Sequence, residues 1–535
     1  MRALLMVLVC SVTLAAQQAS APLVTNQDLL AGLPSDGSKW LMNNGNYFGH
    51  RYSPLTQITP QNVNQLKAQW TSQTGLTPNL QSTPLFVDNV LYVTGFNGNA
   101  AWAIDARSGR QIWRYRRNMP DDFRGGHANR GFAAHGDKLF LGTGDAHLLA
   151  LDMKTGAISW DVTMQEYTNG YASTIAPLVV KDKVIVGVAG GEFGIRGFID
   201  AYEAQTGKRA WRFYTIPGPG EPGHNTWAGD SWKIGGVGVW VTGAYDPEQN
   251  LVFYGTGNPG PDYHSASREG DNLYSTSLVA LDADTGKIRW HYQFTPHDLH
   301  DWDATEVPIL GDITIAGQPR KVVMFANRNG FYYTLDRTTG KLIVGKPFVN
   351  TTWAKEIDST GRPILLPGHE PDEKGEVTCP DITGGTNFWP PTFDPSTRTF
   401  FVNAREVCMT FYAWKPDYKA GDRFTGGAGQ RVSSAESPAY GALRAIDPAT
   451  GERKWEFRYL TPSTAGLLTT ASGLIFSGDA EGNLLALNSR DGKLLWRYQM
   501  GAAMHGTSPT TYMLDGRQHV LVPAGTTLTA WALPQ

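Results

Sequence analysis

The hydrophobic pattern of this chain is short and regularly interrupted. Small or aliphatic residues run for a few positions, an acid follows, a tight turn with Gly comes next, and a Trp stands a few residues on. The phrase reads Ala103-Ile104-Asp105-Ala106 through Gly109 to Trp113, Ala150-Leu151-Asp152 through Gly156 to Trp160, Ala201-Tyr202-Glu203 through Gly207 to Trp211, and Ala280-Leu281-Asp282 through Gly286 to Trp290. It returns as Leu335-Asp336 through Gly340 to Val344, Ala445-Ile446-Asp447 through Gly451 to Trp455, and Ala486-Leu487-Asn488 through Gly492 to Trp496. Each copy predicts a strand, a turn whose Gly accepts positive φ, and a second strand that starts near the Trp. A further alternating pair precedes most copies, as at residues 84–94 and 138–142. Four short strands per unit make a propeller blade.

An eighth unit is split between the ends of the chain. Residues 64–70 offer a Trp strand without partners, and Leu528-Thr529-Ala530-Trp531 offers partners without a closing strand. The expectation is an all-β fold, an eight-bladed β-propeller over residues 22–535 with Trp docked between blades. Joining the N- and C-terminal strands closes the ring and removes exposed edges. The intervals 211–290 and 344–455 are too long for bare blades, so long loops within 212–282 and 345–440 should rise over one end of the ring, where function concentrates.

The abundance of Gly (60) and Trp (17) agrees with many turns and a recurring aromatic packing element. A net charge of -3 and the lack of a long Lys/Arg run give no electrostatic footprint for nucleic acid. Residues 1–21, with Arg2, an apolar stretch over 3–16 and Ala19-Ser20-Ala21, fit a cleaved secretory signal. The apolar stretch is shorter than the roughly 20 residues of a spanning helix. Export to the periplasm without stable membrane insertion is expected. Cys379 and Cys408 then remain as an even pair; they form either a disulfide or two buried thiols, and an oxidising compartment favours the bridge.

Candidate chemistry centres on Thr295-Pro296-His297-Asp298-Leu299-His300-Asp301-Trp302-Asp303-Ala304. Two carboxylates one residue apart can converge on a hard cation, or divide between holding a cation and removing a proton. Together with the blade phrase, Gly190-Gly191-Glu192-Phe193-Gly194-Ile195-Arg196-Gly197 and Tyr254-Gly255-Thr256-Gly257-Asn258-Pro259, this run resembles the methanol and ethanol dehydrogenases that use pyrroloquinoline quinone (PQQ). The resemblance covers nearly the whole mature chain. It implies that Glu192, Asn258 and Asp301 hold a metal beside the quinone, with Asp301 also the catalytic base. Carboxylates and an amide carbonyl are hard oxygen donors, suited to calcium-like ions and not to zinc or copper. The lanthanide-using branch of the family carries a further Asp two residues on, the place of Asp303, and three negative charges balance a trivalent ion better than Ca2+. The expected cofactors are PQQ and a lanthanide ion, with Ca2+ as the alternative.

The resemblance further implies Trp240, in Gly235-Gly236-Val237-Gly238-Val239-Trp240, as the planar group on one quinone face. It carries quinone contacts to Arg130, Thr174 and Asn387, to the backbone stretch Ala189, Gly190 and Gly191, and to Gln81, where many relatives have Glu. Arg328 takes the place of the basic residue at the reacting oxygen and counts with Asp301 as catalytic. The chain also departs from the pattern. Arg124-Gly125-Gly126 stand where many members have two adjacent cysteines, and Asp262 stands where methanol enzymes have a bulky Trp, which predicts a wider or more polar pocket.

The expected reaction is oxidation of a small primary alcohol, or another small alcohol, to the carbonyl product by hydride transfer to metal-bound PQQ. No Cys-x-x-Cys-His occurs, so a soluble cytochrome c is expected as electron acceptor. A homodimer is compatible with this reading. Three other readings stand beside it: a non-catalytic propeller of the outer-membrane assembly type, a PQQ dehydrogenase for a larger polyol or sugar-like alcohol, and a hydrolase built on His297, His300 and Asp301.

Overall fold

The computed structural model describes residues 24–75, 79–123, 128–433 and 439–535. The signal segment and Arg124-Gly125-Gly126 lie outside the described residues. The fold is an all-β propeller. Among the described residues, six antiparallel sheets have four strands each, and two have a fifth strand added at the edge.

Each residue of the repeated phrase has a local task. At Asp282 the side-chain Oδ1 accepts from the Thr285 backbone N at 3.0 Å and from its hydroxyl at 2.8 Å, an Asx turn that closes the loop. Gly286 then turns with φ +69°, a region where L side chains are strained. A methyl group there would stand 2.5 Å from the Trp211 ring. Trp211 of one sheet thus lies flat on the Gly turn of the next, and its Nε1 donates to Ala283 O at 3.2 Å. The same donation runs from Trp70 to Ala106 O, Trp113 to Met153 O, Trp160 to Ala204 O, Trp290 to Arg337 O and Trp455 to Ser489 O. Val344, which has no side-chain N–H, keeps only the packing, against Gly451. A register shift recurs where each strand meets its turn, as at Ala280/Leu281. Lys67–Gln73 pairs antiparallel with Thr527–Ala532, so a strand from near the start completes the sheet made at the end.

The interval 345–440 is more ordered than a loop. It holds a two-stranded sheet, Ala354–Ile357 with Pro363–Leu365, and a three-stranded one, Glu376–Thr378 with Cys408–Ala413 and Gly427–Val432. A Cys379–Cys408 disulfide pins the second of these.

A second set of bonds comes from residues 40–53, which cross the leading strands of one sheet after another. Trp40 pairs with Phe86, and Tyr47 donates its hydroxyl to Val179 O at 2.8 Å. Tyr245 N donates to Tyr47 O, Leu310 N to Phe48 O, Phe393 N to His50 O and Thr469 N to Arg51 O. Arg51 is wholly buried and donates to Asn43 O, Leu467 O and Pro509 O at 2.5, 2.9 and 2.8 Å. No helix among the described residues is long and apolar enough to cross a membrane.

Two stability predictions follow from this packing. Trp211→Ala removes a docked ring and its hydrogen bond, and should cost about 3–5 kcal/mol, read as a lower melting temperature with an unchanged far-UV spectrum before melting. His50 is buried with Nε2 donating to Leu310 O at 2.7 Å, and burial pushes its pKa down to about 4. Only the unfolded chain takes up that proton near pH 6.5, so this stability is complete above about pH 6.5 and falls by up to about 1.4 kcal/mol per unit as the pH drops toward 4. The urea midpoint of wild type should therefore fall over that window more steeply than that of His50→Gln, by one proton's worth of slope.

Candidate functional site

The loop 298–303 is shaped from within. Asp298 accepts from the backbone N of Trp302 at 2.9 Å and of His300 at 3.3 Å, which folds the segment into a turn with Asp301 in the left-handed region, φ +58°. Trp302 points into the core, fully buried, with its indole N–H donating to Asp381 O at 3.0 Å. The flanking Asp301 and Asp303 therefore face the other way, into a cavity of about 260 Å³.

That cavity is lined by Arg130, Thr174, Ala189, Gly190, Gly191, Glu192, Trp240, Asn258, Asp301, Asp303 and Arg328, together with Ala128 and Gly238. Eleven of the residues named from the sequence thus meet at one place, though they come from segments far apart in the chain. Two others stand one layer back. Gln81 lies behind Arg130 in a small separate cavity with Phe388 and Thr242. Asn387 lies behind Arg328, accepting from its Nη2 at 3.4 Å.

Arg328 is the centre of the charged side. Its Nη1 donates to Asp301 O at 2.6 Å and stands 3.6 Å from Asp301 Oδ1, and its Nη2 is 3.1 Å from Asp303 Oδ2. Asp303 is further held by the Trp240 indole N–H at 3.0 Å and the Asn258 backbone N–H at 2.6 Å. Gly257 lets this happen: a methyl group there would stand 2.8 Å from Asp303 Oδ1. On the other side Arg130 lies over the Trp240 ring, 4.6 Å from its centroid, and donates to Thr174 Oγ1 at 2.8 Å. Burial, with nearby Arg328, pushes the Arg130 pKa down to about 9.

The site is short of positive charge. Burial, and then the Asp262 and Asp303 carboxylates, push the Asp301 carboxyl well above the usual carboxylate range despite Arg328. Burial and Glu192 do the same to Asp262, and burial raises Asp303. Four carboxylates against one close guanidinium suit an added cation. Buried donors and acceptors also stand without partners, at Arg130 Nε, Arg328 Nε and Gln81 Oε1, as expected of a cleft shaped for a polar planar ligand. Among the described residues no three His, Cys, Asp or Glu groups already close into a metal cage. The four expected ligands line one cavity, with Arg328 lying between the two aspartates.

Three expectations change. Asp262 does not widen the pocket: it is 1% exposed, does not line the cavity, and accepts from Asn258 Nδ2 at 2.9 Å. His300 stacks on Trp302 and binds His369 O through Nε2, and His297 binds Gly270 O, so both histidines are framework rather than a hydrolytic pair. The third is an omission. Arg268, wholly buried, donates to Pro261 O, Asp262 O and Asp298 O at 2.9, 3.0 and 2.5 Å. It braces the loop of Asn258 against the loop of Asp301, and no motif marked it because its partners are backbone carbonyls.

Comparison with known proteins agrees with this site. The sequence profile described as "Glucose/ethanol/alcohol dehydrogenase, beta-propeller domain" matches residues 40–352, and that of the outer membrane protein assembly factor BamB matches residues 439–533. The chain is 39% identical to the quinoprotein alcohol dehydrogenase PedH of Pseudomonas putida, over 97% of this chain and 91% of that one. It is 36% identical to the lanthanide-dependent methanol dehydrogenase of Methylacidiphilum fumariolicum, over 95% and 88%. Among solved structures, a europium-containing methanol dehydrogenase superposes with a TM-score of 0.89 at 33% identity, covering 95% of this chain and 100% of that chain. With more than half its length matched by the dehydrogenase profile and nearly all of it aligned to these relatives, the chain belongs to the PQQ-dependent alcohol dehydrogenase family.

Proposed function

We propose that this protein is an exported alcohol dehydrogenase. It oxidises small primary alcohols, and other alcohols of similar size, on an eight-bladed ring closed by Lys67–Gln73 against Thr527–Ala532. What carries the reading is the convergence of acids, an amide, two guanidiniums and a flat indole on one cavity. The Cys379–Cys408 bridge supports an oxidising compartment, and a soluble cytochrome c is the electron acceptor we assign.

Trp240 provides the flat wall for the quinone, and Arg130 with Thr174 provides donors for its carboxylates. Glu192, Asn258, Asp301 and Asp303 hold the cation, and the acid count favours a lanthanide over Ca2+. When bound, the quinone takes the hydride from the alcohol carbon, while the cation polarises its carbonyl and keeps Asp301 ionised. Asp301 accepts the hydroxyl proton of the alcohol. Arg328, held by Asp301 O and Asp303, offers its guanidinium to negative charge developing on the same side of the cavity. Asp303 keeps Trp240, Arg328 and the Asn258 backbone in register through its three contacts.

Two outcomes test this. Protein reconstituted with PQQ and either La3+ or Ca2+ should reduce a dye with ethanol as donor, and Asp301→Asn should lower kcat by about 10²–10⁴ with its melting temperature and bound-quinone absorbance retained. No dye reduction by wild type with either metal would sink the enzyme reading, and a fully active Asp301→Asn would remove that residue as base. Asp303→Ala should lose La3+-supported turnover more than Ca2+-supported turnover; equal losses would take metal choice away from Asp303.

A further inference from the structure

The side-chain amide of Asn258 has two unlike ends, and only its oxygen suits a hard cation. Which end faces the cavity is decided by a residue outside it. Asn258 Nδ2 donates to Asp262 Oδ1 at 2.9 Å and reaches Pro259 O at 3.4 Å. Its Oδ1 is turned toward the Gly191-Glu192 turn: a methyl group on Gly191 would stand 3.5 Å from it. An ionised carboxylate accepts and does not donate, so Asp262 can pair only with the nitrogen end. The reversed amide would set oxygen against oxygen at hydrogen-bond distance.

Asp262 is itself immobilised. It is 1% exposed, and its own carbonyl is held by Arg268 Nη2 at 3.0 Å, the same guanidinium that grips Pro261 O and Asp298 O. The carboxylate that selects the amide's orientation is therefore fixed to the same brace as the loop carrying Asp301. Neither Asp262 nor Arg268 lines the cavity.

We infer that Asp262 is a positioning residue for the cation: it locks the Asn258 amide with its oxygen turned into the cavity, so the site is preset before an ion arrives. The inference rests on the reading of Asn258 as a metal ligand. It gives a buried acid at this position a task that a bulky aromatic could not perform, because an aromatic ring offers no acceptor in the plane of the amide. Partners that orient a metal ligand from behind are worth 10–100-fold in metal affinity.

The test reads binding, not turnover. Chelator-stripped protein reconstituted with PQQ is titrated with Tb3+, and its emission is followed against a competing chelator. Asp262→Ala, which removes the acceptor, should bind Tb3+ about 10–100-fold more weakly, whereas Asp262→Asn, which keeps an acceptor oxygen without the charge, should stay within about threefold of wild type. Asp262→Thr, too short to reach the amide, repeats the first measurement should the alanine variant not fold. Undiminished affinity in the truncated variants overturns the inference, and so does an Asp262→Asn loss equal to that of Asp262→Ala, which would make charge the cause. Wild-type Tb3+ affinity unchanged by Asn258→Ala is a different failure: it strikes the ligand assignment on which the inference stands.

Discussion

Arg51 is wholly buried and, among the described residues, has no carboxylate within ion-pair distance. Its charge is dispersed over three backbone carbonyls, those of Asn43, Leu467 and Pro509. A buried cation is tolerable only where such donors are fully used, so these three strands must stand at fixed distances. Sheet docking alone does not impose that. A Trp lying on a Gly turn fixes each sheet to its neighbour, and small errors accumulate around a ring. The segment from Trp40 to Ser53 ties distant sheets directly, to Val179, Tyr245, Leu310, Phe393 and Thr469 in turn.

The cavity inherits this rigidity. Its groups come from the 128–131, 172–174, 189–192, 238–240, 257–258, 301–303 and 328 segments, so their spacing is only as good as the spacing of the sheets beneath them. Local devices then set the final angles. Asp298 shapes the turn that aims Asp301 and Asp303 outward from Trp302, Arg268 couples that turn to the Asn258 loop, and Gly257 allows Asp303 to approach the backbone. The cost is electrostatic: like charges are held near one another in a poorly solvated place, raising the Asp301 and Asp262 carboxyls. Such stored repulsion is what a bound cation relieves.

Much of this was legible along the chain. Asp, Gly and Trp of the repeat act on neighbours a few residues away or on the next copy of the same turn, so a period in the sequence becomes a period in space. The cavity residues were legible because they sit in short motifs. What could not be read depends on contacts between distant backbone atoms. The crossing segment has no periodicity, since each of its residues meets a different sheet. Gln81 and Asn387 share motifs with lining residues yet stand behind Arg130 and Arg328. Asp262 was read by its size against an aromatic, whereas its role follows from the amide it faces. The sheets within 345–440 pair strands such as Thr378 and Met409 across a disulfide-linked excursion, a pairing no alternation pattern specifies.

The guanidinium of Arg51 joins its own residue to Pro509, 458 positions later. At typical synthesis rates of about 5–20 residues per second, residues 40–53 leave the ribosome on the order of half a minute before the last sheet exists. Through that time the segment holds a charge and a row of backbone groups with no permanent acceptors. The early sheets can form and dock as they emerge, but they cannot settle on their final spacing. The molecule therefore locks in one late step, when the C-terminal strands arrive and the first-made stretch of the protein is the last to find its place.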